Sequence, residues 1–319
     1  MLPLAVDAMG GDHAPDAVLA GVRRAVDDGI PVVLVGPSDL THDADVELIS
    51  ANELIAMDEE PGAAIRTKKD STLVRAAEAV RDGAASAMVS AGNTGATMAA
   101  ALLRMGRIKG VKRPAIATPI PVPGGATPTV LLDAGANAEV QPDWLVQFAQ
   151  MGSVYARTRF HIDEPRVGLL SIGEEPGKGD SLRKEAYPLL SAAGAINFIG
   201  NIEGRDVMSD NVDVAVTDGF TGNVTLKTLE GGLKSLIGAL LAVFAEDGYK
   251  DHADALLPAL VPLYNTLNPD TYGGAVLLGV DGVCIISHGS SGATAIRNAI
   301  GVAAEMVEHG MVDEIKSVV

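Results

Sequence analysis

The chain has 319 residues, 47% of them apolar but only 3% aromatic, with 36 glycines and a formal net charge of −17. That acidity repels nucleic acid and argues against a polyanion as partner. The Ala-, Val-, Leu- and Gly-rich make-up suits helices packed closely on a sheet, and the length holds one large α/β domain or two smaller ones.

In chain order the pattern alternates strand and helix. A strand at 4–7 ends in Asp7-Ala8-Met9-Gly10-Gly11-Asp12-His13, and a helix follows over 16–28. Strands at 32–35 and 87–90 flank a helix at 72–82. The second of these strands ends in Ser90-Ala91-Gly92-Asn93-Thr94-Gly95 and leads into an alanine-rich helix over 94–105. Five cations then fall within ten residues: Arg104, Arg107, Lys109, Lys112 and Arg113. They read either as ordinary favourable charge at a helix C-terminus or as a docking patch for an acidic partner. Strands at 115–118 and 129–133 come next, the latter ending in Asp133-Ala134-Gly135-Ala136-Asn137. Pro142 opens a helix whose Trp144, Phe148, Met151 and Tyr155 recur at three- and four-residue steps, a core face rather than a cofactor site. Strands at 167–172, 196–199 and 212–217 precede Asp218-Gly219-Phe220-Thr221-Gly222-Asn223. These short apolar runs do not alternate with polar residues, which marks strands covered on both faces, as in a parallel sheet.

From 224 to 272 the rhythm breaks into consecutive helices with two strongly apolar runs. This stretch is a helix hairpin on the same core, a dimer interface or a membrane-touching tip. A strand at 283–287 ends in Ser287-His288-Gly289-Ser290-Ser291-Gly292, and a helix at 293–309 closes the chain. The lone cysteine, Cys284, lies inside that strand and reads as a small buried hydrophobe rather than a nucleophile; without a second cysteine the chain fits a reducing compartment. The N-terminus lacks the pattern of a signal peptide, and the longest apolar run, 236–245, is too short to cross a bilayer, so a cytoplasmic location is expected.

The strand-end loops carry the chemistry. Glycine lets backbone approach a ligand closely, and the helix that follows offers free N–H groups, so several such loops on one sheet edge make an anion pocket. Asn93, Thr94, Asn137, Thr221, Asn223, Ser290 and Ser291 are hydrogen-bonding residues in those loops, or else simple caps and turn residues. Lys178, Lys184, Arg205 and Lys227 supply cations nearby. His13, after Asp12, suits an acid–base or phosphate-contacting role as well as a surface one, and His288 shares that ambiguity. No G-x-G-x-x-G follows the first strand, 173–179 is a residue short of a P-loop, and neither a zinc motif nor a G-x-S-x-G elbow occurs. No cofactor and no metal are therefore expected.

The opening Val6-Asp7-Ala8-Met9-Gly10-Gly11-Asp12-His13-Ala14-Pro15 resembles the start of the bacterial acyl-carrier-protein-dependent phosphate acyltransferases (PlsX). The likeness continues in order through Val89–Ala96, Gly106–Gly110, Leu132–Asn137, Gln147–Gly152, Gly168–Glu175, Asn197–Arg205, Asp218–Val224 and His288–Ser291. The stretch 236–263 matches only in character.

The resemblance implies a Rossmann-like three-layer α/β/α fold with a mostly parallel sheet, similar to phosphate acetyl- and butyryltransferases. It implies one domain over 1–319, with 224–272 as a helical extension facing a dimer partner or the membrane. It further implies reversible transfer of a fatty acyl group from acyl carrier protein to inorganic phosphate, in a homodimer associated peripherally with membrane. A membrane glycerol-3-phosphate acyltransferase would then take up the acyl phosphate.

In such a reaction phosphate attacks the thioester directly. Asn93, Asn137 and Asn223 are candidate oxyanion donors; Lys184 and Lys178 hold phosphate or protonate the thiolate, and His13 orients phosphate. Gly10, Gly11, Asp12, Thr94, Thr221, Lys227, His288 and Ser290 complete the expected substrate site, and the cluster from Arg104 to Arg113 is the expected carrier-protein dock. The competing readings are a coenzyme-A-dependent phosphate acyltransferase, a nicotinamide-linked dehydrogenase on a related fold and a non-catalytic acyl- or phosphate-binding module.

Overall fold

The computed structural model describes residues 1–42, 46–246 and 248–319. Among them, eleven strands form one sheet: β1 (Leu4–Asp7), β2 (Val32–Gly36), β3 (Glu47–Ser50), β4 (Ala87–Ser90), β5 (Ala115–Ile120), β6 (Thr129–Leu132), β7 (Arg166–Leu170), β8 (Asn197–Ile202), β9 (Val214–Val216), β10 (Ala275–Leu278) and β11 (Val283–Ile286). The spatial order is β3-β2-β1-β4-β11-β10-β5-β6-β9-β7-β8.

Two parallel blocks, β3-β2-β1-β4-β11 and β6-β9-β7-β8, run in opposite directions because β10 and β5 join them through three antiparallel pairings. The inner strands are covered on both faces, as their continuous apolar runs require. Leu4 and Val6 of β1 enter one core and the intervening Ala5 the other, the period-two alternation of a pleated strand.

The helices are α1 (Asp16–Asp27), α2 (Pro61–Thr67), α3 (Thr72–Arg81), α4 (Thr94–Ala100, continued as a π-helical turn over Ala101–Met105), α5 (Pro142–Phe160), α6 (Ser181–Ala192), α7 (Gly219–Phe244), α8 (Lys250–Leu267), α9 (Ala293–Glu308) and α10 (Met311–Val318). One core packs α1, α5, α6, α9 and α10 against the sheet, and the other packs α2, α3, α4 and α7. Phe148, Met151 and Tyr155 of α5 are fully buried, while Trp144 is half-buried beneath the Arg113 guanidinium, 5.1 Å from its ring centre.

Several expectations need correction. The edge strand β3 is half-exposed and mixes Glu47 and Ser50 with two apolar residues, so it lacks a buried run. The antiparallel β10 is only four residues long between Gly273-Gly274 and Gly279, which gave it the look of a loop. The short α2 begins at Pro61-Gly62, with the Glu60 carboxylate capping the amides of Gly62 and Ala63. Pro188 interrupts the helical pattern of α6 without ending it. The last helix is not the one at 293–309: α10 follows after a turn at Gly310. The stretch 224–272 is helical, formed by most of α7, by α8 and by a short turn at Pro269–Tyr272. Residue 247 lies outside the described residues.

Candidate active site

The strand-end loops gather into two clusters. In the first, the buried Asp7 carboxylate accepts from the Met9 amide at 3.1 Å and from Ser90 Oγ at 2.7 Å, and Ser90 Oγ in turn accepts from the Gly92 amide at 2.9 Å. The loop after β1 therefore locks onto the loop after β4. Gly10 is needed for this approach: a Cβ there would stand 2.7–2.8 Å from Asp7 Oδ2, the Gly92 nitrogen and Ser90 Oγ. The Asp12 amide donates to the Gly289 carbonyl at 2.7 Å, which brings in the loop after β11. Burial pushes the Asp7 carboxyl above the usual carboxylate range, against its hydrogen bonds.

In the second cluster the fully buried Asp133 takes five N–H donors at 2.8–3.0 Å: the amides of Ile116, Gly135, Ala136 and Asn137 and the side-chain amide of Asn137. Burial still raises its carboxyl. The first turn of α7 sits against this loop. The Gly219 amide donates to the Asn137 carbonyl, and a Cβ at Gly222 would fall 1.9 Å from the Asp133 carbonyl oxygen.

Asp218 caps α7, accepting from the Thr221 amide at 2.8 Å and Thr221 Oγ1 at 2.9 Å. Arg183 is only 7% exposed, and its guanidinium reaches the Leu170 carbonyl, Asp180, Thr217 Oγ1 and Asp218. Burial pushes the Asp218 carboxyl up, but the Thr221 hydrogen bonds and the Arg183 charge together hold it below the usual range. Arg183 was not among the residues expected at the site. The one sequence signal for it is Asp180 three residues before, the cap of α6.

Between the clusters lies a cavity of about 650 Å³. Thr94, His288 and Ser290 face it from the first cluster and Gly135 and Asn223 from the second; Ile116, Thr118 and Ile120 of β5 run between the two sides. The opposing wall is α7. Its Asn223, Lys227, Glu230 and Lys234 form a polar stripe at four- and three-residue steps, and Leu226, Leu229, Leu233 and Ile237 form an apolar one beside it. Tyr264 and Leu267 of α8 extend the apolar lining. The arrangement can hold an anion beside a long apolar chain.

Of the expected site residues, Thr94, Asn223, Lys227, His288 and Ser290 come together here. Asn223 donates one amide hydrogen to the Ala134 carbonyl at 3.2 Å and keeps the other for a ligand. Asn93 and Asn137 do not: the Asn93 amide faces the carbonyls of Ala56, Met57 and Glu59, and the Asn137 amide faces Pro114 and Asp133. Both hold loops in place and, as arranged, have no hydrogen to offer an oxyanion.

Gly10, Gly11 and Asp12 build the first cluster, and His13 is exposed at the approach to α1. Thr221 belongs to the Asp218 cap, while Lys178 and Lys184 are exposed around the start of α6 and do not line the cavity. In the basic segment, Arg104 donates to the Ile65 carbonyl and Arg107 to those of Val111 and Lys112. Lys109, Lys112 and Arg113 are exposed. Cys284 is fully buried and its thiol is pushed up to about 12 by desolvation, which removes it as a nucleophile.

Solved structures of the same architecture include a phosphotransacetylase from Streptococcus pyogenes (TM-score 0.63, 17% identity, covering 96% of this chain and 94% of that one). A branched-chain phosphotransacylase from Enterococcus faecalis V583 is similar at TM-score 0.61 and 12% identity, over 97% of this chain and 100% of that one. At such identities the likeness concerns the fold. Sequence relatives are much nearer. A phosphate acyltransferase of Pelotomaculum thermopropionicum is 48% identical over 99% of this chain and 94% of its own length. One from Staphylococcus aureus is 44% identical over 100% and 98%. The family model described as fatty acid synthesis protein matches residues 2–314, and the chain belongs to that family, the one in which these bacterial phosphate acyltransferases fall.

Proposed function

We propose that the chain transfers a fatty acyl group from acyl carrier protein to inorganic phosphate, reversibly, giving acyl phosphate for glycerophospholipid synthesis. The observation that carries this reading is a single cavity whose polar stripe and apolar stripe both come from α7. Phosphate binds on the polar stripe, the acyl chain lies along Leu226, Leu229, Leu233 and Ile237, and the thioester carbon sits where the two stripes adjoin. Phosphate attacks that carbon directly, since the buried thiol of Cys284 offers no covalent route. Asn223 donates its remaining amide hydrogen to the developing oxyanion. Thiolate is a good leaving group, free thiols having a pKa of about 8.5. Lys184 and Lys178, exposed around the start of α6 outside the cavity lining, assist phosphate or thiolate as the substrate enters.

The acidic carrier protein docks on Arg107, Lys109, Lys112 and Arg113, the exposed part of the basic segment on a strongly acidic chain. The exposed Leu236, Leu240, Leu241, Val243, Leu256 and Val261 of α7 and α8 serve a dimer partner or the membrane surface. Among the described residues no helix is long and apolar enough to cross a membrane.

The test is incubation with acyl carrier protein thioester and phosphate, trapping acyl phosphate as hydroxamate. Product formation from the carrier-protein donor and not from acyl-coenzyme A is the expected result. Turnover of acyl-coenzyme A alone assigns the other donor, and ligand binding without acyl phosphate makes the chain a binding module. N223A should lower kcat about 100-fold, and K184A should lose turnover with its fold intact.

A further inference from the structure

Three polar groups on the cavity wall are unexplained by packing. Glu230 Oε2 accepts from Lys227 Nζ at 2.8 Å, but Glu230 Oε1 is buried with no hydrogen-bond partner. His288 Nε2, on the loop after β11, lies 3.7 Å from that oxygen, within ion-pair reach but beyond a hydrogen bond. Next to it in sequence, Ser287 is 4% exposed, and its Oγ is likewise unpartnered. All three residues line the cavity. Buried polar atoms are normally paired, and hydrogen bonds of an active site often tighten only when substrate is bound. An orphan carboxylate oxygen facing a histidine across the cavity has the form of a base and its orienting group.

We propose that Glu230 is a positioning residue for His288, which relays the proton of the transfer reaction. The proposal rests on the acyl-transfer reading above. An oxygen of hydrogen phosphate forms a bond to the thioester carbonyl carbon, the carbon–sulfur bond breaks, and sulfur leaves with its electron pair. The proton of the attacking phosphate passes to the neutral imidazole, and the imidazole returns it to the thiolate. The ring ends as it began, with acyl phosphate and free thiol as products.

Glu230 closes onto Nε2 and leaves Nδ1 to exchange the proton, while the Ser287 hydroxyl donates to a phosphate oxygen. The other titratable groups lining the same cavity are Lys227 and Lys234 of α7, Tyr264 of α8, and Asp270 and Tyr272 just beyond α8. Among the described residues, Glu230 is the one carboxylate within ion-pair distance of His288.

The experiment compares wild type with H288Q, E230Q and E230D, measuring kcat and KM for phosphate across pH with acyl carrier protein thioester as donor. The side chains of His288 and Glu230 are 43% and 25% exposed, and matched melting curves check that each variant folds. H288Q should lower kcat about 100-fold, leave KM for phosphate nearly unchanged and flatten the pH dependence of kcat. E230Q should lower kcat about tenfold, a smaller share of the same acid–base contribution, and E230D should recover most of that loss. An H288Q variant that raises KM while keeping kcat and its pH profile overturns the relay, as does an E230Q variant equal to wild type. In both cases the acyl-transfer reading survives. A wild-type chain that forms no acyl phosphate overturns that reading and the relay together.

Discussion

The two loop clusters solve one problem in different ways. Each has a buried aspartate at a strand end, Asp7 as the last residue of β1 and Asp133 just after β6, and each aspartate holds a loop in place. Asp7 works across the sheet, because its partner Ser90 lies 83 residues away and the loop is completed by Gly289 from the far end of the chain. Asp133 works locally: apart from Ile116, every donor lies within four residues of it. The first cluster therefore exists only once the sheet is assembled, whereas the second is a self-contained cradle. Arg183 then ties α6 to the cap of α7 beside that cradle. Neither aspartate is free for chemistry, and the reacting groups belong to the residues that these cradles hold in position.

The contrast can be broken most severely at Arg183. R183M leaves Asp218 buried beside Thr217 without its cation, and loss of one partner of a buried pair costs about 3–5 kcal/mol. Urea denaturation should show that loss, together with a fall in turnover as the start of α7 shifts.

Next come the glycines. G222A drives a methyl into a backbone carbonyl that cannot rotate away and should cost about 3 kcal/mol, whereas G10A, meeting two side-chain oxygens and one amide, should cost nearer 1 kcal/mol. Equal melting losses for the two would dissolve the distinction between the clusters.

The aspartates follow. D133N places an amide against five donors and should destabilise by about 2 kcal/mol more than D7N, whose carboxylate has fewer partners. Equal losses would mean that the local cradle is no more dependent on its carboxylate than the assembled one.

The smallest effect is on pH dependence, and its sign differs within the site. Asp218 is held below its unfolded value, so its contribution to stability is present above about pH 4 and is lost as the pH falls through the depressed value. Asp7 and Asp133 are raised, so the folded state favours their protonated forms, and that contribution fades as the pH rises from about 4 through their raised values. In denaturation curves over this range, the gap between wild type and D218N should narrow toward acid. The gap between wild type and D7N should narrow in the opposite direction.

Much of this architecture was legible in the sequence because buried parallel strands leave an unmistakable apolar run, as at Leu4–Asp7 and Ala87–Ser90. Half-buried β3 and the short antiparallel β10 leave none. The five anion-suited loops were visible as glycine-bearing punctuation, but which of their polar side chains face inward was not. Asn93, Asn137 and Asn223 look alike in sequence; only hydrogen-bond accounting separates the two that hold loops from the one that faces the cavity. Arg183 was overshadowed by its exposed neighbour Lys184, and its burial depends on β7, β9 and α7 converging around it. Glu230 could have been found by continuing the helical spacing from Asn223 through Lys227.

That spacing makes α7 a ruler. Asn223 and Glu230 are seven residues apart on one uninterrupted helix, which sets them about 10 Å apart along its axis at 1.5 Å per residue. One end of the ruler is fixed by Asp218 and the other faces His288. A single residue inserted between them would lengthen the helix only slightly but rotate everything beyond it by about 100°, turning leucines into the place of the polar stripe and Glu230 away from His288. Drift in the sheet can be absorbed by loops; a change of count along this helix cannot.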